Sequence, residues 1–227
     1  MIRFLFFDAG NTLVFPDHAR TLAPLAAAGF RPTTDQLYSA ERAAKRRLDA
    51  AYRNAKSLSS VDQDFWSTYY RHLLESLGAP AALGPELVAA TQRSDHWRRV
   101  RPGTRQVLEK LRAGGRRLGV IANSDGHIED ALRAAGLGDC FESFTDSGLV
   151  GSEKPDPGIF RAALESLDAR AEESLYVGDI YSVDYLGATG VGMSAVLLDV
   201  AGTYREDALP RLESLEELLP HLDWGNP

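Results

Sequence analysis

The chain has 227 residues, with 25 lysines and arginines against 32 aspartates and glutamates, a formal charge of −7, and 44% hydrophobic residues. A chain of this size and composition buries a sizeable core, which excludes a disordered or fibrous protein and fits one domain with a large insertion, or two small domains. The lone cysteine, Cys140, excludes an intramolecular disulfide, and an acidic pI near 5.3 supplies no basic footprint for nucleic acid.

Taken in chain order, the run from Ile2 to Phe7 has the length of a strand and is far too short for a secretory or membrane segment. The expectation is a cytoplasmic protein with neither membrane nor nucleic acid as partner. Residues 16–99 read as helices only. Thr33 with Gln36, and Ser60 with Gln63, are spaced as capping boxes ahead of long helical patterns, and Gly84-Pro85 opens a third helix. Beyond them come four more apolar runs without in/out alternation: Arg117 to Ala122, Phe141 to Thr145, Ser174 to Val177 and Ser194 to Leu198. Helical stretches separate them, one stopped by Gly136, one opening at Asp156-Pro157, one following Gly178-Asp179. The tail from Arg205 to Leu222 reads as an acidic, partly helical surface segment. This alternation predicts an α/β fold, a doubly wound parallel five-stranded sheet built from residues 1–15 and 100–227, with residues 16–99 as a small all-helical domain over it.

Ligands of an open parallel sheet sit beyond the carboxyl ends of its strands. Polar clusters fall at that edge: Asp8-Ala9-Gly10 after the first strand, Asn123-Ser124-Asp125 after the second, Glu153-Lys154-Pro155 before the helix that follows the third, and Gly178-Asp179 with Asp184 after the fourth. Asp8, Asp179 and Asp184 offer hard oxygen ligands suited to Mg²⁺, and Lys154 supplies a positive charge for Asp8 or for a phosphate. Carboxylates crowded on one edge repel unless a cation joins them, so metal-assisted phosphoryl transfer through a carboxylate nucleophile is the chemistry that fits.

In this order, with helices inserted after the first motif, the four clusters resemble the haloacid dehalogenase-like (HAD) superfamily, in particular its members with a helical cap. The resemblance spans essentially the whole chain. It implies Asp8 as the nucleophile that forms an aspartyl-phosphate, and Mg²⁺ held by Asp8, Asp179 and the carbonyl of Gly10, with Asp184 supporting through water. It further implies Lys154 steadying nucleophile and phosphate. Asn123 and Ser124 are candidate substrate contacts, with helix capping as the other reading. Phosphatases of the family carry an acid/base Asp two residues after the nucleophile, where this chain has Gly10, and a Ser or Thr at the end of the second strand, where it has Ala122. Ser124 takes that second place if the strand ends later.

Elsewhere, the basic stretch Arg42, Lys45, Arg46, Arg47, Arg53 and Lys56 reads as a solvated helix face, and Trp66, Tyr69, Tyr70 and Trp97 as packing. His18 and Arg20 are weaker candidates to overhang the pocket, Cys140 reads as a packed thiol, and His127 as an exposed helix-start residue. The expected function is hydrolysis of a small phosphorylated metabolite. The alternatives are a non-catalytic or regulatory ligand-binding protein of the same fold, a halide-displacing enzyme, or a phosphonate-cleaving one that uses Lys45 or Lys56 as a Schiff base. An oligomer through Tyr181, Tyr185 or the inserted helices stays open.

Overall fold

The computed structural model of the chain describes residues 1–54, 65–91 and 93–221. Strand β1 (Phe4–Phe7) consists of four apolar residues, all buried, as a strand covered on both faces requires. The chain leaves the sheet through β2 (Phe15–Pro16), runs through α1 (His18–Thr21), α2 (Ala23–Ala27), α3 (Thr34–Asn54), α4 (Phe65–Leu77) and α5 (Gly84–Thr91), and returns through β3 (Trp97–Arg99), antiparallel to β2. It then alternates: α6 (Thr104–Ala113), β4 (Arg117–Ala122), α7 (Ile128–Ala134), β5 (Ser143–Asp146), α8 (Ser147–Val150), α9 (Pro157–Ser166) and β6 (Ser174–Gly178). A π-helical turn over Tyr181–Tyr185 leads into α10 (Leu186–Gly190), β7 (Ser194–Leu198), β8 (Arg211–Leu212) and α11 (Leu218–His221).

The main sheet has the order β5-β4-β1-β6-β7-β8 and is parallel throughout. It therefore has six strands where five were expected. The sixth, β8, is two residues long and has no apolar run to announce it, yet Leu212, Leu215 and Leu218 of the tail are buried, so this stretch is core and not a surface segment. The expectation of helices alone across 16–99 is likewise corrected, because Pro16 and Trp97–Arg99 join in a short ribbon at its two ends. The parallel doubly wound architecture is as expected. Leu5 and Phe7 point into one apolar layer with α6 and α7, while Phe4 and Phe6 point into the other with α9.

Among the inserted helices, α3 begins with the capping box: Thr33 N donates to Gln36 Oε1 at 2.9 Å and Gln36 N to Thr33 Oγ1 at 3.3 Å. The Ser60/Gln63 pair lies outside the described residues. Leu37, Ala40, Ala44 and Leu48 of α3 pack on Tyr69, Tyr70, Leu73 and Leu74 of α4, and the cluster extends to Ile180 and Val183 at the end of the sheet. A second face of α3 is polar and docks on the sheet edge. Arg42 Nη1 donates to the Ala201 carbonyl, Arg46 pairs with Asp207 at 2.6 Å, and Asp49 accepts from Ser182 N and the Tyr204 hydroxyl. Arg42, Lys45 and Arg46 are thus not a solvated face. Arg47 pairs with Glu75 of α4, and Lys56 lies outside the described residues.

The closeness of β1 and β4 is tight at Gly119, where a Cβ would stand 2.7 Å from Ser143 Oγ and 2.8 Å from the Phe6 ring. Gly119→Ala is expected to lower unfolding free energy by about 1–3 kcal/mol, the cost of overpacking a filled core. Urea denaturation checks this, and an unchanged midpoint would contradict it.

Candidate active site

The strand order reverses at β1, since β4 lies on one side of it and β6 on the other, and the crevice of such a sheet opens beyond the carboxyl ends of these strands. Asp8 follows β1 and Asp179 follows β6. The Asp8 amide donates to the Val177 carbonyl at 2.8 Å, which carries the β1–β6 pairing one residue past the strand. Asp184 reaches the same place from the π-helical turn. One oxygen, Oδ2, accepts from the amides of Asp179 and Ile180 at 3.1 and 3.0 Å, fixing the start of that turn. Gly178 makes the approach feasible, because a Cβ there would stand 2.4 Å from Asp184 Cγ. Carboxylate oxygens of Asp8, Asp179 and Asp184 all lie within 4.8 Å of one another, and all three residues are buried.

Lys154 ties two of the three. Its Nζ donates to Asp8 Oδ1 at 2.6 Å, Asp184 Oδ1 at 2.8 Å and the Tyr176 hydroxyl at 2.9 Å, so all three N–H groups of the ammonium are engaged. Asn123 holds the Lys154 backbone at both ends of its amide, accepting from Lys154 N at 2.7 Å and donating to Lys154 O at 3.0 Å. Asp179 has a different partner. Lys45, from α3, places Nζ 2.5 Å from Asp179 Oδ2 and 3.3 Å from its carbonyl, and only 8% of this lysine is exposed.

Electrostatics follow from this crowding. Burial drives the Asp8 carboxyl up, Lys154 pulls it back, and Asp184 and Asp179 push it further, leaving it at about 7 against an ordinary 3.8. Asp179 is raised too, first by burial, with Lys45 opposing. Burial would lower both lysines, but their carboxylate partners outweigh it and hold Lys45 and Lys154 above the ordinary lysine value.

The carboxylates open on a cavity of about 620 Å³. Ala122 ends β4, so the register question is answered in favour of Ala122 at the strand end. Ser124 also lines the cavity, with its hydroxyl 3.3 Å from Asp125 Oδ1. On the other side stand Phe65 and Trp66 of α4, Val88 of α5, and Trp97 of β3. The Trp97 ring lies against Gly10, with Cζ3 3.1 Å from where a Cβ would be. His18 lines a separate, smaller cavity and Arg20 pairs with Asp17 and Asp95, so neither reaches the large one. Cys140 is buried and His127 is exposed at the start of α7, as expected.

The description of haloacid dehalogenase-like hydrolases matches residues 2–192. The chain belongs to the haloacid dehalogenase-like hydrolases. It is 32% identical over 204 residues to haloacid dehalogenase-like hydrolase domain-containing protein 3 of Mus musculus, covering 84% of this chain and 79% of that protein. It is 33% identical over 207 residues to the glyceraldehyde 3-phosphate phosphatase of Pyrococcus abyssi, covering 86% and 81%. The structure of YfnB from Bacillus subtilis, solved bound to magnesium, shares the fold with a TM-score of 0.68 at 21% identity over 97% of this chain and 98% of that one.

Within this haloacid dehalogenase-like hydrolase, the structure brings together Asp8, Gly10, Asn123, Ser124, Lys154, Asp179 and Asp184 around one cavity. Sequence reasoning missed Tyr176, whose hydroxyl joins Lys154 and Asp184, and missed the contact of Lys45 with Asp179. Tyr176 gives no signal in an otherwise apolar strand. Lys45 does give one: Arg42, Lys45, Arg46 and Asp49 share one helix face at spacings of three and four, too polar a stripe for a helix that packs on both sides.

A carboxyl whose folded pKa lies above its unfolded value stabilises the fold below the unfolded value and loses that contribution as pH rises through the folded one. Metal-free protein is therefore expected to lose stability from Asp8 as pH climbs from about 3.8 to about 7. Thermal melts in chelator should show a steeper decline across this window for wild type than for Asp8→Asn. Parallel curves would contradict the assignment.

Proposed function

We propose that this hydrolase cleaves a small phosphorylated metabolite through an aspartyl-phosphate on Asp8, with residues 16–99 acting as the cap over the site. The observation that carries the reading is the joint placement of Asp8, Asp179, Asp184 and Lys154 at the crevice of the sheet, open to a cavity of ligand size. The phosphatase named among its relatives is consistent with this class of substrate.

The residues fit a hard divalent cation. Three buried carboxylates converge within 4.8 Å, and two ammonium groups leave them one negative charge in excess when all are ionised. Asp8, Asp179 and the Gly10 carbonyl would hold Mg²⁺, with Asp184 behind them. When bound, it supplies positive charge to the phosphoryl oxygens and keeps Asp8 ionised near neutrality.

Asp8 Oδ1 accepts from Lys154 Nζ at 2.6 Å and Oδ2 from the Thr12 hydroxyl at 3.5 Å, which together hold the carboxylate at the cavity. A carboxylate oxygen of Asp8 attacks phosphorus, the bond from phosphorus to the leaving oxygen breaks, and that oxygen keeps the electron pair. Water then cleaves the aspartyl-phosphate and releases inorganic phosphate, restoring Asp8. Lys154 holds the carboxylate in place through both steps, and Asn123 holds Lys154. Gly10 leaves the usual acid/base position without a carboxyl, and Trp97 stands where one would go. A second reading, ligand binding without turnover, draws on Gly10 and on the missing hydroxyl at Ala122.

Phosphate release from p-nitrophenyl phosphate tests the proposal, since this leaving group departs with little need of a proton. Wild type with Mg²⁺ is expected to turn it over, and Asp8→Asn to lower kcat by roughly 10³-fold or more. Release that survives in Asp8→Asn, or none from wild type, would favour the second reading.

A further inference from the structure

We infer that the cavity selects phosphate monoesters of flat aromatic alcohols, an inference that rests on the phosphatase reading above. Facing the carboxylates, the wall is formed by Phe65, Trp66, Val88 and Trp97. These rings are set by packing. Phe65 meets Trp66 edge-on at 5.0 Å, Trp66 stacks on Tyr70 at 6.1 Å, and Trp97 lies 6.1 Å from Trp66. The Trp97 indole N–H donates to the Thr91 carbonyl at 2.8 Å, which fixes its plane. A preformed aromatic wall of this kind takes a flat ring against it at little cost in side-chain entropy.

The same wall is poor at satisfying hydroxyl groups. Trp97 has its N–H engaged, and the hydroxyl of Thr91 is paired with that of Tyr70. Ser67 adds another hydroxyl on this wall, while among the described residues the cavity's remaining hydroxyl and amide side chains, Ser124, Asn11 and Asn123, belong to the loops after β1 and β4. A sugar or triose phosphate placed against these rings would bury hydroxyls with few partners, an unfavourable exchange for water. At about 620 Å³ the cavity also lies within the range, roughly 300–1,000 Å³, that accommodates ligands larger than a triose.

Leaving-group chemistry points the same way. Trp97 closes on Gly10, two residues from Asp8, so a ring stands where an acid/base carboxyl at that position would go. The cavity's other carboxylates, Asp125 and Glu153, stand on the loops after β4 and before α9. With no carboxyl at Gly10, the proposed leaving oxygen departs as an anion and takes its proton from water. An aryloxide spreads that charge into its ring, whereas an alkoxide does not.

Three esters separate these contributions: naphthyl phosphate, naphthylethyl phosphate and glycerol 3-phosphate, assayed with Mg²⁺ on wild type, Asp8→Asn, Trp66→Ala and Trp66→Phe. Naphthyl phosphate is expected to exceed glycerol 3-phosphate in kcat/KM by about 100-fold or more. Naphthylethyl phosphate should share the low KM of the first and the low kcat of the second. Trp66→Ala should raise KM for both aromatic esters about tenfold with kcat within about twofold, and Trp66→Phe should raise it less. Asp8-dependent cleavage of glycerol 3-phosphate as efficient as that of naphthyl phosphate would overturn the inference and leave the phosphatase reading intact. If no ester gives Asp8-dependent release, the phosphatase reading falls, and calorimetry with naphthylphosphonate decides the rest. Binding weakened by Trp66→Ala would keep the aromatic wall as a ligand site, and no binding would overturn it.

Discussion

Three carboxylates, Asp8, Asp179 and Asp184, are buried with oxygens within 4.8 Å of one another, and their mutual repulsion is the constraint that the rest of this site answers. Like charges at such separations, away from water, cost several kcal/mol unless counter-charges stand beside them. Lys154 bridges Asp8 and Asp184, and Lys45 meets Asp179. The partition matters. Lys154 belongs to the loop before α9 and is pinned by Asn123, so two carboxylates share one counter-charge from within the sheet edge. The third is neutralised from α3, a helix of the insertion.

This division ties the inserted helices to the chemistry. One face of α3 packs on α4, while the other brings Lys45 to Asp179 and Asp49 to Ser182 and Tyr204. Any displacement of α3 away from the sheet withdraws a positive charge from Asp179 and two hydrogen-bond donors from a buried Asp49. A divalent cation bound there would add the positive charge that the two lysines leave wanting, so its occupancy and the position of α3 would act on one balance of charge. Trp97 adds a steric link of the same kind, because it lies at the return from the insertion and its ring covers Gly10.

Much of this was legible in the sequence, and what was not has a physical reason. Asp8, Lys154, Asp179 and Asp184 each follow a buried strand or precede a capped helix, so local signals alone bring them to one edge of the sheet. The six-stranded count was not legible, since β8 is two residues long and pairs only through its backbone with β7. Lys45 reads as solvated in the sequence because the direction of a helix face depends on which surface the helix docks against. Tyr176 sits in a strand where its ring reads as core, and only the packed structure shows its hydroxyl beside Lys154. Trp97 on Gly10 joins residues far apart in the chain, a contact that no local pattern encodes.

The central claim is that the three carboxylates form one cation site whose charge deficit a single divalent ion meets. Calorimetric titration of Mg²⁺ into wild type and Asp179→Asn tests it most directly. One equivalent bound to wild type, with binding lost or weakened by about tenfold or more in the variant, is the predicted result. Equal Mg²⁺ binding by the two proteins, or no binding by wild type, would contradict it.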